Sequence, residues 1–94
     1  MMRLHFIAIG GSAMHSLAIA MQLLGHKVSG SDDAIYDPSR SNLEASGLLP
    51  INLGWFPEKI NPKVDIVILG MHAKRDNPEL LEAQKNGLKI QSYP

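Results

Sequence analysis

Short apolar runs, two of them ending at glycines and separated by stretches of helical spacing, leave this chain few folds. His5 to Ile9 is almost wholly apolar, as a strand covered on both faces of a parallel sheet must be. Ser12 to Leu24 follows, with Met14, Leu17, Ala18, Met21 and Leu24 at helical spacing and Gly25 as its stop. Lys27 to Gly30 reads as a second strand and Val64 to Leu69, stopped by Gly70, as a later one. Asn77 and Pro78 open another helix as N-cap and first helical residue. It runs to about Asn86, and Gly87 ends it before a last strand at Leu88 to Gln91.

The middle of the chain is less regular. Residues 32–38 form a polar loop, and Ser39 or Ser41 caps a short helix through Ala45 that Gly47 ends. Leu48 to Leu53 reads as a third strand, weakened by Pro50, and Gly54 to Pro62 is rich in turns. Strands alternating with helices predict a parallel sheet with right-handed crossovers. The expectation is one α/β, Rossmann-like domain over residues 1–94, with a mostly parallel sheet of about five strands flanked by helices.

Composition narrows the class of partner. At 94 residues the chain holds a single core, and 45% hydrophobic with 19% charged residues argues against disorder. Nine basic side chains balance nine acidic ones, so nothing suggests a basic face for nucleic acid or a polybasic membrane patch. With no cysteine there is no disulfide framework and no thiolate metal site, which fits a reducing cytoplasm. Met1 to His5 runs straight into a strand without the apolar region of a signal peptide, and no apolar run has the length of a membrane helix. The chain closes on a strand where a doubly wound domain would add a helix, so it is expected to be part of something longer.

The chemistry concentrates at Ile7-Ala8-Ile9-Gly10-Gly11-Ser12-Ala13-Met14 and, some twenty residues on, at Ser29-Gly30-Ser31-Asp32. A glycine pair between a strand and a helix lets phosphate oxygens approach the backbone, where helix N-terminal amides and the helix dipole hold them without basic side chains. In a dinucleotide-binding G-x-G-x-x-G the first and third glycines would fall at Ala8 and Ala13. Alanine is an accepted variant at the third place, but Ala8 implies a turn built differently from a standard NAD site. Asp32, twenty-two positions after Gly10, has the spacing of a ribose-binding acid, against the plainer role of an aspartate bonding its own turn. Asp33 beside it reads as solvated.

The four histidines, His5, His15, His26 and His72, form no metal spacing on any one element. His72 follows Gly70 at the C-terminal end of a buried strand, the edge where open α/β sheets bind ligands. His15 lies one turn into the first helix, placed either to meet a phosphate or to face solvent. Trp55 with Phe56 reads as a packing cluster rather than a stacking platform.

The run His5-Phe6-Ile7-Ala8-Ile9-Gly10-Gly11-Ser12-Ala13-Met14-His15, with Gly30-Ser31-Asp32, resembles the opening of the Mur ligases that act on UDP-N-acetylmuramate. The alanine-adding members usually carry glycine where this chain has Ala8 and Ala13. These variants look more like the members that attach a murein tripeptide in cell-wall recycling. So do Asp32-Asp33, Pro38-Ser39-Arg40-Ser41, Gly54-Trp55-Phe56-Pro57, and Gly70-Met71-His72-Ala73-Lys74 before Asp76-Asn77-Pro78-Glu79-Leu80.

The resemblance covers essentially the whole chain and implies a three-domain cytoplasmic enzyme. In it an N-terminal domain holds the UDP moiety, a central domain binds ATP with Mg, and a C-terminal domain helps bind the incoming group. The muramate carboxylate is activated as an acyl phosphate and attacked by an amine. Carried over, Gly10, Gly11, Ser12, Ala13 and Met14 line the diphosphate through backbone amides, with His15 beside them. Asp32 and Ser31 lie near the uridine ribose, and Met71, His72 and Ala73 border the uridine or sugar. Asn77 chiefly caps a helix. No G-x-x-x-x-G-K-S/T occurs, so this chain is expected to bind UDP-N-acetylmuramate, to rely on further domains in cis for ATP and Mg, and to catalyse nothing alone.

Two other classes compete. An NAD(P)-binding domain of an oxidoreductase would prefer glycine at position 8 and does not require Gly-Met-His-Ala followed by Asp-Asn-Pro-Glu. A nucleotide-sensing regulatory domain would need an adenine preference and a dimer face. Within the family the runner-up is the ligase that adds L-alanine.

Overall fold

The computed structural model describes residues 1–93. β1 (Arg3–Ile7), α1 (Ser12–Leu23), β2 (Lys27–Ser31), α2 (Ser39–Ala45), β3 (Ile66–Gly70), α3 (Pro78–Lys85) and β4 (Lys89–Tyr93) follow one another, with a short 3-10 turn at Pro57–Lys59 before β3. The described strands form one sheet in the order β2-β1-β3-β4, every neighbouring pair parallel. This is the α/β architecture the alternating pattern predicts, with four strands where about five were expected.

Alternation along β1 and β3 sorts the core into two layers. Leu4 and Phe6 of β1 and Ile68 of β3 pack with Met14 and Ala18 of α1 and Leu43 of α2. Ile7 and Val67 point the other way, onto Leu80 and Ala83 of α3. Helices cover both faces because each face is apolar, which is why these strands read as nearly continuous hydrophobic runs.

The differences from the expected boundaries have local causes. β1 ends at Ile7 rather than Ile9 because Ala8 turns the chain at φ 70°, and the Ala8 and Ile9 amides both donate to the Ser31 carbonyl, at 2.9 and 3.1 Å. Leu48 to Leu53 is not a strand. Leu48 closes the end of α2 by donating to the Leu43 carbonyl, Ile51 and Leu53 are exposed, and the segment's return to the sheet is an isolated antiparallel bridge between Asp32 and Gly54. α2 is not capped by either serine. Pro38 occupies the N-cap position, while Asp37 Oδ1 accepts from the Ser41 amide at 2.9 Å and from its hydroxyl at 2.6 Å. Asn77 does cap α3, its Oδ1 accepting from the Glu79 and Leu80 amides at 2.9 and 3.2 Å.

From β1 the chain crosses to β2 on one side, then returns past β1 to form β3 on the other. The direction of winding reverses between β1 and β3, and ligands of open α/β sheets lie beyond the strand ends at such a switch point.

Candidate functional site

A cavity of about 900 Å³ opens at that switch point. One wall is the turn after β1 and the start of α1, from Gly10 to Met14; the facing wall is the loop after β3, including Met71, His72 and Ala73. Asp32 and Asp33 supply the β2 side. Nine of the expected contact residues therefore converge from three separate segments: Gly10, Gly11, Ser12, Ala13, Met14, Asp32, Met71, His72 and Ala73.

The glycine pair is asymmetric. A Cβ on Gly10 would stand 2.8 Å from Asp32 Oδ2 and 2.9 Å from Ile35 Cγ1, so a side chain there forces the β2 loop outward. At Gly11 the nearest atoms would be at 3.5 Å, an ordinary contact, so the fold itself does not require glycine there. Gly11 is the N-cap of α1 and no side chain caps the helix. The amides of Ser12, Ala13 and Met14, in the first turn, have no acceptor within the helix and point out of its N-terminal end. Three free donors and the positive end of the helix dipole face the cavity, an arrangement suited to phosphate.

Asp32 already has work inside the protein. Its Oδ2 accepts from the Gly10 amide at 2.8 Å and its Oδ1 from the Asp33 amide at 2.9 Å. The Gly10 amide is thus spent on Asp32, and the loop's open donors begin beyond it. Burial pushes the Asp32 carboxyl above the ordinary aspartate range, against the pull of the Gly10, Ala34 and Asp33 amides. A carboxylate has about four lone-pair positions, so acceptor capacity remains for a further hydroxyl.

Two expected contacts lie off the cavity. His15 is buried beneath the loop, its Nδ1 3.1 Å from the Gly11 carbonyl and 3.0 Å from Ser39 Oγ, its Nε2 3.3 Å from Asn42 Nδ2. It fastens α1 to α2. Ser31 is fully buried, its Oγ accepting from the Lys59 ammonium at 3.1 Å. Conversely, Tyr36, Trp55, Lys74 and Pro78 line the cavity without having been singled out for it. For Tyr36 the available signal was an aromatic ring in a polar loop directly after Asp32. Trp55 does both things, packing half-buried against the α3-side core while bordering the cavity.

Among the described residues no group of three or more His, Asp or Glu side chains is placed to hold a metal ion, and no helix is long and apolar enough to cross a membrane. The sequence carries no lysine-bearing phosphate loop, so its residues do not fit an ATP–Mg site.

Known proteins resemble this chain in sequence and fold. The family model described as "Mur ligase family, catalytic domain" matches residues 3–94. The UDP-N-acetylmuramate–L-alanyl-γ-D-glutamyl-meso-2,6-diaminoheptandioate ligase of Escherichia coli is 39% identical over 99% of this chain. The UDP-N-acetylmuramate–L-alanine ligase of Carboxydothermus hydrogenoformans is 37% identical over 96%. A solved murein peptide ligase from Psychrobacter arcticus superposes with a TM-score of 0.84 at 34% identity, over 97% of this chain and 19% of that one. A UDP-N-acetylmuramate–alanine ligase from Thermotoga maritima also gives 0.84, at 27% identity, over 98% of this chain and 21% of that one. The chain spans 20% of the length of the first curated relative and 19% of the second. A family model that matches residues 3–94, with a relative 39% identical over 99% of the chain, shows that the chain belongs to the Mur ligase family.

Proposed function

We propose that this chain is the N-terminal domain of a longer cytoplasmic ligase and that it holds the UDP moiety of UDP-N-acetylmuramate. The observation that carries the reading is the uncapped start of α1, whose free amides at Ser12, Ala13 and Met14 face a cavity closed by the loop after β3. The diphosphate lies against those amides, with Gly11 leaving room for its oxygens. Asp32, held by the Gly10 and Asp33 amides, offers its remaining lone pairs to ribose hydroxyls. Met71, His72 and Ala73 border the uridine or sugar from the opposite wall. His15 and Ser31 act on the ligand only through the elements they fasten.

ATP with Mg, bound by further domains in cis, would activate the muramate carboxylate for amide formation. The present residues bind and orient the nucleotide and carry no part of that activation. Attachment of the murein tripeptide is favoured over addition of L-alanine by Ala8 and Ala13 and by the Gly54-Trp55-Phe56-Pro57 and Gly70-Met71-His72-Ala73-Lys74 segments. Relatives with both activities resemble the chain almost equally, so the incoming group is tested on the longer protein, by offering it tripeptide and L-alanine in competition.

Calorimetric titration of the chain with UDP-N-acetylmuramate, with NAD and ATP in parallel, tests the binding reading. Saturable binding of the UDP-sugar alone is expected. A preference for NAD or ATP would overturn the assignment of the cavity to a UDP-sugar, and ligation by this chain unaided would overturn the division of labour.

A further inference from the structure

The geometry points to Glu79 as a positioning residue for the nucleotide site: a fully buried carboxylate that ties β1, α3 and the Trp55 turn together and so fixes two of the cavity's walls. The inference rests on the proposed UDP-sugar site but concerns a residue outside it.

Glu79 sits in the first turn of α3 and has no exposed surface. Its Oε1 is 2.6 Å from Nε2 of His5, which is equally buried on β1, and His5 Nδ1 is 2.8 Å from Ser29 Oγ on β2. Its Oε2 accepts the Phe56 amide at 2.7 Å. Its own amide is capped by Asn77. One side chain therefore spans the middle strand, the helix that follows the site's second loop, and a turn that has no other attachment to α3 among the hydrogen bonds of the described residues.

That turn matters because of what it carries. Trp55 borders the cavity between two anchors, the Gly54 amide donating to the Asp32 carbonyl at 2.8 Å and the Phe56 amide donating to Glu79. The first anchor fastens Trp55 to the Asp32 loop and the second to the start of α3, where Asn77 and Pro78 also border the cavity. Burying a carboxylate is costly unless it is paired and fully hydrogen-bonded, and packing alone would be served by an apolar residue. A polar group with two acceptor oxygens at this position is explained by the two separate segments it joins. Sites hold their geometry through such supporting bonds, and a loose supporting residue loosens the site without touching the ligand.

The test uses Trp55, the chain's sole tryptophan, as a built-in reporter of that turn. Glu79→Ala is expected to shift Trp55 emission in the ligand-free protein and to weaken UDP-N-acetylmuramate binding by about tenfold, the low end of what losing an outer-shell partner costs a metal site. Glu79→Gln can accept from Phe56 while donating to His5, and is expected to keep emission and hold affinity within about threefold of the parent. Leu4→Ala, which opens a cavity on the opposite face of β1, controls for general loosening and is expected to lower the Tm while leaving both readouts in place. If Glu79→Ala does not fold, the double variant His5→Leu with Glu79→Leu replaces the buried pair by apolar groups, often a tolerated exchange, and still removes the acceptor of the Phe56 amide. Unchanged emission and affinity in whichever variant folds would overturn the assignment, as would an equal loss in Leu4→Ala. Failure of the parent to bind the UDP-sugar would instead strike the proposed function, and Trp55 emission would still decide the role of Glu79.

Discussion

Ala8 holds a backbone conformation that alanine tolerates poorly: at φ 70° it is the one non-glycine residue of positive φ among those described. The left-handed region costs an L-residue roughly 1–2 kcal/mol, and glycine's greater freedom when unfolded takes back about 0.4–1 kcal/mol. Ala8→Gly should therefore stabilise the chain by between nothing and about 1.6 kcal/mol, read as a higher midpoint in urea with an unchanged slope. Three positions on, Gly11→Val separates binding from folding. Its Cβ meets only ordinary contacts, so the melt should change little, while the branched side chain crowds the place where phosphate oxygens approach and UDP-sugar affinity falls. Asp32→Ala should not separate them. It frees the Gly10 and Asp33 amides as well as any ribose hydroxyl, so stability and affinity should decline together, each lost charge-assisted bond being worth about 1.5–3 kcal/mol. Loss of affinity with an unchanged melt would show that the loop does not depend on this carboxylate.

At the scale of elements, α3 owes its start to Asn77. Asn77→Ala removes the acceptor for two first-turn amides and should cost about 1 kcal/mol, within the usual 0.5–2, measured by thermal unfolding. That helix was legible because its cap, its first proline and its terminal glycine all lie in sequence order beside it. The β1–α1–β2 unit was legible for the same reason, apolar runs and glycines being local signals. Leu48 to Leu53 misled because a run of apolar residues marks burial without saying against what. Leu48 and Leu49 pack on the core from a loop, and the pairing that would have made a strand is reduced to the Asp32–Gly54 bridge. Of the candidate site, the cavity wall at Gly10 to Met14 was legible, because a glycine pair between a strand and a helix is itself a local signal. The site was not legible where a side chain's direction decides, since nothing local tells that His15 turns under the loop toward Ser39 or that Trp55 borders a cavity as well as a core.

For the molecule as a whole, two buried carboxylates oppose one another as acid is added. Burial works to raise the Glu79 carboxyl, but hydrogen bonds from His5, the Phe56 amide and Ser31 outweigh it and hold the group below the usual 4.5. Glu79 thus binds its proton less readily folded than unfolded, and its stabilising contribution, complete above about pH 4.5, is lost as pH falls through the lower folded value. Asp32 has the reverse sign. Its folded value lies above 3.8, so protonation on the way down to that pH favours the folded state. Glu79→Gln should flatten the acid limb of a stability–pH curve, and Asp32→Asn should steepen it. Urea midpoints measured from pH 6 to pH 3 would show both, and parallel curves for parent and variants would contradict the assignment.

All-parallel strands give the sheet two unlike rims, and the cavity occupies the rim where the strands end. The tight turns at Gly25 and Gly87, which lead from α1 into β2 and from α3 into β4, lie on the rim where they begin. A side chain at either would meet nothing within 4 Å, although the positive φ at each favours Asn or Asp over bulkier residues. These turns are handles. A dye, a surface linker or an inserted peptide placed there would leave the cavity-bearing rim pointing outward, so an immobilised chain should bind the proposed UDP-sugar as the free chain does.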